Sequence, residues 1–143
     1  MKSNKTQTAK IEKLIDGAKV SFIASVDGDG FPNMKAMLAP RRRDGLREFW
    51  FSTNTSSLRV SQFRKNPKAA VYFFSKTIFA YQGLMLTGTM EVLEDQAAKD
   101  SIWQTGDTIY YPLGRTDPDY CVLKFTARRA RYYRNFKSES FEV

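Results

Sequence analysis

The feature that most constrains the fold is a series of short β-prone runs separated by tight-turn signals. The first run, Val20–Val26 (VSFIASV), is rich in β-branched and aromatic residues, and Asp27–Gly30 (DGDG) joins it to a second run, FPNMKAMLAP. Strands joined by so short a turn are antiparallel, because parallel strands need a longer crossover connection. The sequence therefore predicts a β-hairpin at this point.

Four further runs have the composition of strands. They are Leu46–Thr53, Lys68–Ser75, Tyr81–Glu94 and the run from Tyr120 to Phe136. Gly83 and Gly88 within the fifth strand mark a bulge or a close approach of two backbones. Six antiparallel strands close most easily into a small barrel. We therefore predict a mainly β (α+β) fold, an antiparallel barrel of six strands with peripheral helices.

Three segments between the strands have helical patterns. Thr6–Lys19 carries apolar residues at helical spacing, TNTSSLRVSQFRKNP contains a short helix that ends at Asn66-Pro67, and Asp95–Thr105 begins with a capping aspartate. No repeat or flexible linker interrupts the 143 residues. The sequence therefore predicts a single domain over residues 1–143.

Two absences limit the chemistry. The chain has no histidine and a single cysteine, Cys121, which is expected to be buried. These facts exclude the Ser-His-Asp and Cys-His nucleophile schemes, the usual histidine metal sites and an intrachain disulfide. No metal site is predicted, and redox chemistry would need a cofactor.

The location of the protein is inferred from the same sequence. The start, MKSNKTQTAK, is polar, no apolar run has the length of a membrane span, and the lone cysteine suits a reducing compartment. We therefore expect a cytoplasmic protein with no membrane partner.

The positive charge leaves several partners open. There are 23 basic and 15 acidic residues, for a net charge of +8. This balance suits nucleic acid, a membrane surface or a phosphorylated small molecule, but it also favours plain solubility. The predicted turn Arg41–Arg43 is interpreted as a solvated loop. Between Arg128 and Arg134, basic residues alternate with tyrosines, but a strand would divide them between two faces, so nucleic-acid binding is an unfavoured alternative.

The segment Phe51–Arg59 (FSTNTSSLR) is the most informative for function. A strand ends there in hydroxyl residues, and a helix begins with Ser56 and Ser57. Free N–H groups and the positive end of the helix dipole make such a start suitable for an anion. Arg59 could fold back toward the anion, and Lys35 would add a second cation if the second strand lies beside the third. A capped helix with a surface arginine is the alternative interpretation.

The order of these segments resembles the pyridoxamine 5′-phosphate oxidase-like proteins, which are flavin-binding split β-barrels. The general-stress-protein branch of short chains is the closer resemblance. It extends from Ile11 to Phe136, and its most specific part is the strand–T-x-x-S-x-x-R/K–helix–NP–V segment. The resemblance implies a homodimer with FMN in a cleft between subunits, FAD or a deazaflavin being alternative cofactors.

The resemblance also implies a set of flavin contacts. The second strand and the helix start would hold the phosphate, the end of the third strand would follow the ribityl chain and ring, and backbone groups of the second strand would face the ring edge. Trp103 and Tyr133, the latter with Tyr132 as its neighbour, are expected to approach from the partner subunit. The complete set is Lys35, Ala36, Met37, Leu38, Phe51, Ser52, Thr53, Ser56, Ser57, Arg59, Gln82, Trp103 and Tyr133.

The implied function is that of a flavin-dependent oxidoreductase of the general-stress type, which passes electrons between a small reductant and a small organic acceptor. A non-catalytic flavin carrier or sensor is the alternative. The chain ends RNFKSESFEV, without the histidine-containing substrate motif of the true oxidases, and Ala39-Pro40 stands where they keep a lysine. Full pyridoxamine 5′-phosphate oxidase activity is therefore not expected, and the catalytic residues stay unassigned.

Overall fold

The computed structural model describes residues 4–143, and within them the chain forms three α-helices and eight β-strands. The helices are α1 (Lys5–Gly17), α2 (Leu58–Lys65) and α3 (Gln96–Ile102). The strands are β1 (Val20–Val26), β2 (Pro32–Leu38), β3 (Arg42–Asp44), β4 (Glu48–Asn54), β5 (Lys68–Lys76), β6 (Tyr81–Leu93), β7 (Tyr120–Arg134) and β8 (Lys137–Glu142). The polar start considered above begins with residues 1–3, which lie outside the described residues.

The strands form one antiparallel sheet that curls into an open barrel. Its order is β2-β1-β5-β6-β7-β4-β3, and β8 lies beside β7. The two edges approach each other at the link between β2 and β3, where the Ala39 N–H donates to the Lys19 carbonyl at 3.3 Å and the Arg41 N–H to the Trp50 carbonyl at 2.8 Å. In the described chain no ladder joins β2 to β3. This arrangement confirms the predicted antiparallel split barrel with peripheral helices.

The strand number is eight rather than the predicted six, and β3 is one reason. Arg41–Arg43 was predicted to be a turn, but Arg42 and Arg43 lie in β3, which pairs with β4. The Arg42 guanidinium stacks 4.4 Å from the centre of the Trp50 ring. The turn prediction is therefore wrong for these two residues, because pairing with β4 and stacking on an aromatic ring outweigh their polar character.

The last predicted strand divides into β7 and β8. Asn135 and Phe136 have φ angles of 49° and 66°, in the left-handed region. Two consecutive residues of this kind form the tight turn that suits a twisted hairpin. The chain therefore reverses after Arg134, and β8 returns along β7.

The barrel interior is filled by alternate residues of the strands. Ile23, Val71, Phe73, Leu84 and Leu86 are among these buried side chains. A second apolar cluster covers the other face of β4. It consists of Trp50, Ile102, Tyr111, Tyr120 and Val122. Both faces of β4 are thus covered by apolar side chains.

The helices begin as the sequence predicts. In α1, the helical spacing buries Ile11, Leu14 and Ile15 against the barrel. Asp95 caps α3 by accepting a hydrogen bond from the Ala98 N–H.

No helix within residues 4–143 combines the length and apolarity needed to cross a membrane.

Both glycines of β6 and the cysteine occupy close-packed positions. A Cβ on Gly83 would overlap the Tyr72 hydroxyl, and one on Gly88 would overlap the Thr126 carbonyl beside a register shift in the ladder. Cys121 is fully buried. These positions confirm the predicted close approaches and the structural role of the thiol.

Candidate anion-binding site

The candidate site lies where β4 ends and α2 begins. The intervening loop is held by Asp119, which precedes β7. The Asp119 carbonyl accepts from the Thr55 N–H at 2.8 Å, and its carboxylate accepts from the Ser56 N–H at 2.8 Å and the Asn54 side-chain amide at 2.9 Å. The Ser56 backbone N–H is the main cause that lowers the pKa of the Asp119 carboxyl. A charged anchor from outside the loop therefore fixes its shape.

Two hydroxyl groups of this loop, those of Thr55 and Ser57, are buried but unpaired. Ser57 is the N-cap residue of α2, yet its side chain makes no capping hydrogen bond. Within the described chain, Ser57 Oγ, Thr55 Oγ1 and Arg59 Nε are buried and have no hydrogen-bond partner of good geometry, and the one group that interacts with the Thr55 side chain is the thiol of Cys121, a weak hydrogen-bonding group. Buried polar atoms are nearly always paired in native proteins. Three such atoms at one helix start therefore indicate a place for a ligand.

Arg59 supplies the positive charge of the site. Its Nη2 donates to Thr53 Oγ1 at 2.5 Å, and it forms no ion pair with any described residue. Burial lowers the pKa of the half-buried guanidinium, because removal from water penalises the charged form. A desolvated cation without a counter-ion favours an incoming anion.

Lys35 lies on the face of β2 that is turned toward α2. It shares that face with Asn33, whose amide donates to Gln62 Oε1 of α2 at 3.1 Å, and with Met37, which packs against the core. Ala36 and Leu38 point to the opposite, outer face of the sheet. The structure therefore ties the strand that carries Lys35 to the helix that carries Arg59.

The predicted residues around the ring do not all face one space. Phe51 and Thr53 point into the barrel, and Phe51 is fully buried. Ser52 points the other way, under an aromatic cap in which the Tyr111 and Tyr120 rings stack at 4.5 Å and Trp103 lies 5.4 Å from Tyr120. Ser56, beside the site, is exposed. Because its side chain is buried in the barrel, Phe51 could contact a ligand only through its backbone.

The aromatic cap is fastened to the barrel by a buried ion pair. Arg41 Nη2 lies 2.8 Å from Asp107 Oδ1, and both side chains are at least nine-tenths buried. Burial is also the main cause that raises the pKa of Tyr111, although its hydrogen bond with Ser52 opposes the shift. The cap therefore adds low-polarity surroundings beside the end of β4.

Gln82 and Tyr133 lie at the other end of the sheet. Gln82 is the second residue of β6, whereas Leu93 at the other end of β6 pairs with Val122, the register partner of Ser52. At about 3.3 Å per residue, Gln82 and Leu93 are roughly 35 Å apart along the strand. Tyr133 points outward and makes an edge contact with Tyr81 at 5.7 Å. One chain therefore does not bring these residues to Arg59.

Some residues of the site were missed by sequence reasoning. Thr55, Gln62 and Tyr111 were not singled out. A polar residue between Val60 and Phe63, which are both buried, is the one local signal that could have indicated Gln62. The contact between Tyr111 and Ser52 depends on the fold and leaves no local pattern.

Comparison with known proteins adds a family and several structures. A sequence model described as pyridoxamine 5′-phosphate oxidase matches residues 7–134. A Clostridium acetobutylicum protein related to general stress protein 26 of Bacillus subtilis, of the pyridoxinephosphate oxidase family, is 40% identical, with a TM-score of 0.88 over 99% of this chain and 97% of the other. No curated protein gives a significant match.

Two more distant structures share the fold. General stress protein 26 from Bacillus anthracis is 18% identical and has a TM-score of 0.76, over 96% of this chain and 98% of that protein. A pyridoxamine 5′-phosphate oxidase-related, FMN-binding protein from Nostoc punctiforme is 14% identical and has a TM-score of 0.72, over 100% of this chain and 97% of the other. At these identities the likeness concerns the barrel alone.

Proposed function

The chain belongs to the pyridoxamine 5′-phosphate oxidase family, and from this membership we propose that it is an FMN-binding, flavin-dependent oxidoreductase that acts on a small molecule. The observation that carries the proposal is the set of three buried, unpaired polar atoms at the start of α2. Ser57, Thr55 and Arg59 provide them.

These residues fit the phosphate of FMN. Two hydroxyls, a guanidinium and the first N–H groups of a helix with no acidic residue in its first turn are all suited to a phosphate group. The bound flavin would supply the electron-transfer chemistry. The chain itself has no histidine, and its single cysteine is buried. The protein's own part is to hold the phosphate and position the cofactor.

We also propose that the protein is a homodimer. The outer face of the sheet carries an apolar surface whose large side chains are at least 38% exposed: Met34, Leu38, Tyr81 and Met85. Such a surface is typical of a protein interface. A second copy on this face could bring the Gln82 end of one chain toward the Arg59 site of the other.

The proposal is tested by titrating the protein with FMN while following flavin fluorescence. We expect one flavin per chain, with a dimer mass in light scattering. Arg59→Ala should weaken FMN binding by about 1.5–3 kcal/mol, or about 10- to 150-fold, because charged hydrogen bonds to the phosphate are lost. Riboflavin, which lacks the phosphate, should bind both proteins equally.

Arg64→Ala is the matched control. Arg64 lies in the same helix, but it is exposed and paired with Glu94 at 3.0 Å, so its loss should leave FMN binding unchanged. Equal FMN affinity in wild-type and Arg59→Ala protein would contradict the proposed site. Reduction of bound FMN by a reduced (dihydro) nicotinamide cofactor, followed by reoxidation by a small organic acceptor, would support the oxidoreductase activity; bound FMN that is not reduced would favour the carrier.

A further inference from the structure

A second pocket lies far from Arg59, at the end of the sheet where β6 begins. This half-open pocket is lined by α1, the segment that joins α1 to β1, and the adjoining ends of β5, β6 and β7, and has a volume of about 630 Å³. Small-molecule sites commonly span roughly 300–1,000 Å³. The pocket therefore has room for a small organic ligand.

The charge of this pocket is entirely positive. Lys10, Lys13, Lys19 and Arg134 line it, and none of its described lining residues is acidic. None of the four cations forms an ion pair within residues 4–143. Uncompensated positive charge on converging elements favours an anion.

The nearby acidic residues are engaged elsewhere. On α1, Glu12 and Asp16 pair with Arg43 of β3 at 3.4 Å and 2.7 Å. Glu139 lines the adjoining groove together with Lys10 and Arg134, but it accepts its hydrogen bond from the Gln7 amide at 2.7 Å and forms no ion pair with either cation. The basic side of α1 thus faces the pocket, while its acidic side faces β3.

The uncharged polar groups of the pocket are also oriented as donors. Gln82 Oε1 accepts from the Tyr132 hydroxyl at 2.6 Å, which leaves the amide N–H groups of Gln82 available. Arg134 Nε is buried and has no hydrogen-bond partner among the described residues. A buried, unpaired donor beside three lysines is a second, independent sign of an acceptor ligand.

Apolar side chains form the remaining wall. Leu14, Val20 and Phe74 line the pocket beside the donors. We propose that this pocket binds a small organic anion, with a phosphate or carboxylate held by Arg134 and the lysines and an apolar or aromatic body against this wall. That the anion is the substrate of the flavoprotein rests on the proposed function; the binding itself does not.

The test is isothermal titration with 1-naphthyl phosphate, 1-naphthoate and the neutral 1-naphthol. The protein is used both as wild type and as Arg59→Ala, so that binding at the start of α2 is counted separately. We expect the two anions to bind Arg59→Ala at least about tenfold more tightly than 1-naphthol, because the charge-assisted bonds need a negative group. The anion that binds more tightly shows whether the pocket prefers a phosphate or a carboxylate.

Three variants connect the binding to the pocket. Arg134→Gln should weaken anion binding about tenfold, and Lys13→Gln, a change at an exposed helix position, should weaken it without loss of the fold. Lys65→Gln, at the exposed end of α2, should have no effect. Unchanged affinity in both Arg134→Gln and Lys13→Gln, or equal binding of 1-naphthol, would overturn the proposal.

The outcome is independent of the flavin experiment. If FMN does not bind but the anions still bind through Arg134, the pocket stands and the proposed function fails. If Arg59→Ala removes all binding of 1-naphthyl phosphate while FMN binds the wild-type protein, the proposed function stands and this pocket is refuted.

Discussion

The hydrogen-bond network around Gln62 allows a quantitative prediction of stability. Gln62 is 8% exposed on α2, and its Oε1 accepts from Ser25 Oγ at 2.5 Å and from the Asn33 amide at 3.1 Å. The network therefore joins α2 to β1 and β2. Gln62→Leu keeps a similar volume but removes the shared acceptor, so that both donors lose it.

The expected cost follows from the burial of the two donors. A buried group left without its partner costs about 1–3 kcal/mol. Ser25 is 2% exposed, whereas Asn33 is only partly buried and can turn toward water or Ser25 Oγ, 3.3 Å away. We therefore expect Gln62→Leu to lower the free energy of unfolding by about 2–4 kcal/mol, with most of the loss due to Ser25.

The assay is urea unfolding followed by the fluorescence of the two tryptophans. Ser25→Ala in the Gln62→Leu background should recover about 1–2 kcal/mol, because it removes the unpaired hydroxyl. Ser61→Ala, at an exposed neighbouring position on α2, is the control. A loss below about 0.5 kcal/mol for Gln62→Leu, or a double variant as unstable as the sum of the single variants, would refute the reasoning.

Two further predictions concern stability. Gly83→Ala should destabilise the protein by about 1–3 kcal/mol, because its Cβ would overlap the Tyr72 hydroxyl, and Tyr72→Phe should relieve much of this loss in thermal unfolding. The lowered pKa of Asp119, caused mainly by the Ser56 N–H, stabilises the fold above the unfolded carboxyl pKa of about 3.9 and is lost as the pH falls through the folded value. Asp119→Ala should therefore destabilise most above about pH 5 and least near about pH 2; a difference independent of pH would contradict this.

The elements that were predicted from sequence are those with a strong local pattern. Val20–Val26 agrees with β1 residue for residue, and the DGDG turn forms because Asp27 Oδ1 accepts from the N–H groups of Asp29 and Phe31. By contrast, β3 (RRD) and β8 (KSESFE) have polar sequences and form by pairing with β4 and β7. Propensity does not detect such strands, because their partners lie outside the local window.

The residues of the candidate site also fall into two groups, those that a local sequence pattern predicts and those that only the fold brings together. Ser57 and Arg59 could be proposed from the pattern of a helix start, whereas their burial and lack of partners emerge only when β4, β7 and the aromatic cap come together. To place Lys35 at the site, one must know which face of β2 is turned toward α2, and the sequence does not show this. The donors around Arg134 come from α1, β6 and β7, which no sequence window combines.

The unpaired hydroxyls have a structural cause. A serine at the start of a helix ordinarily caps it by accepting from a backbone N–H of the first turn. Here the loop is held instead by Asp119, which accepts from the Thr55 and Ser56 N–H groups, and α2 is anchored through Gln62. Because these two residues fix the loop and the helix, the Ser57 hydroxyl is not needed to define the turn and stays available beside Arg59. The protein thereby keeps a ready-made set of donors for an anion, and the buried polar atoms that stay unpaired until the anion binds lower its stability.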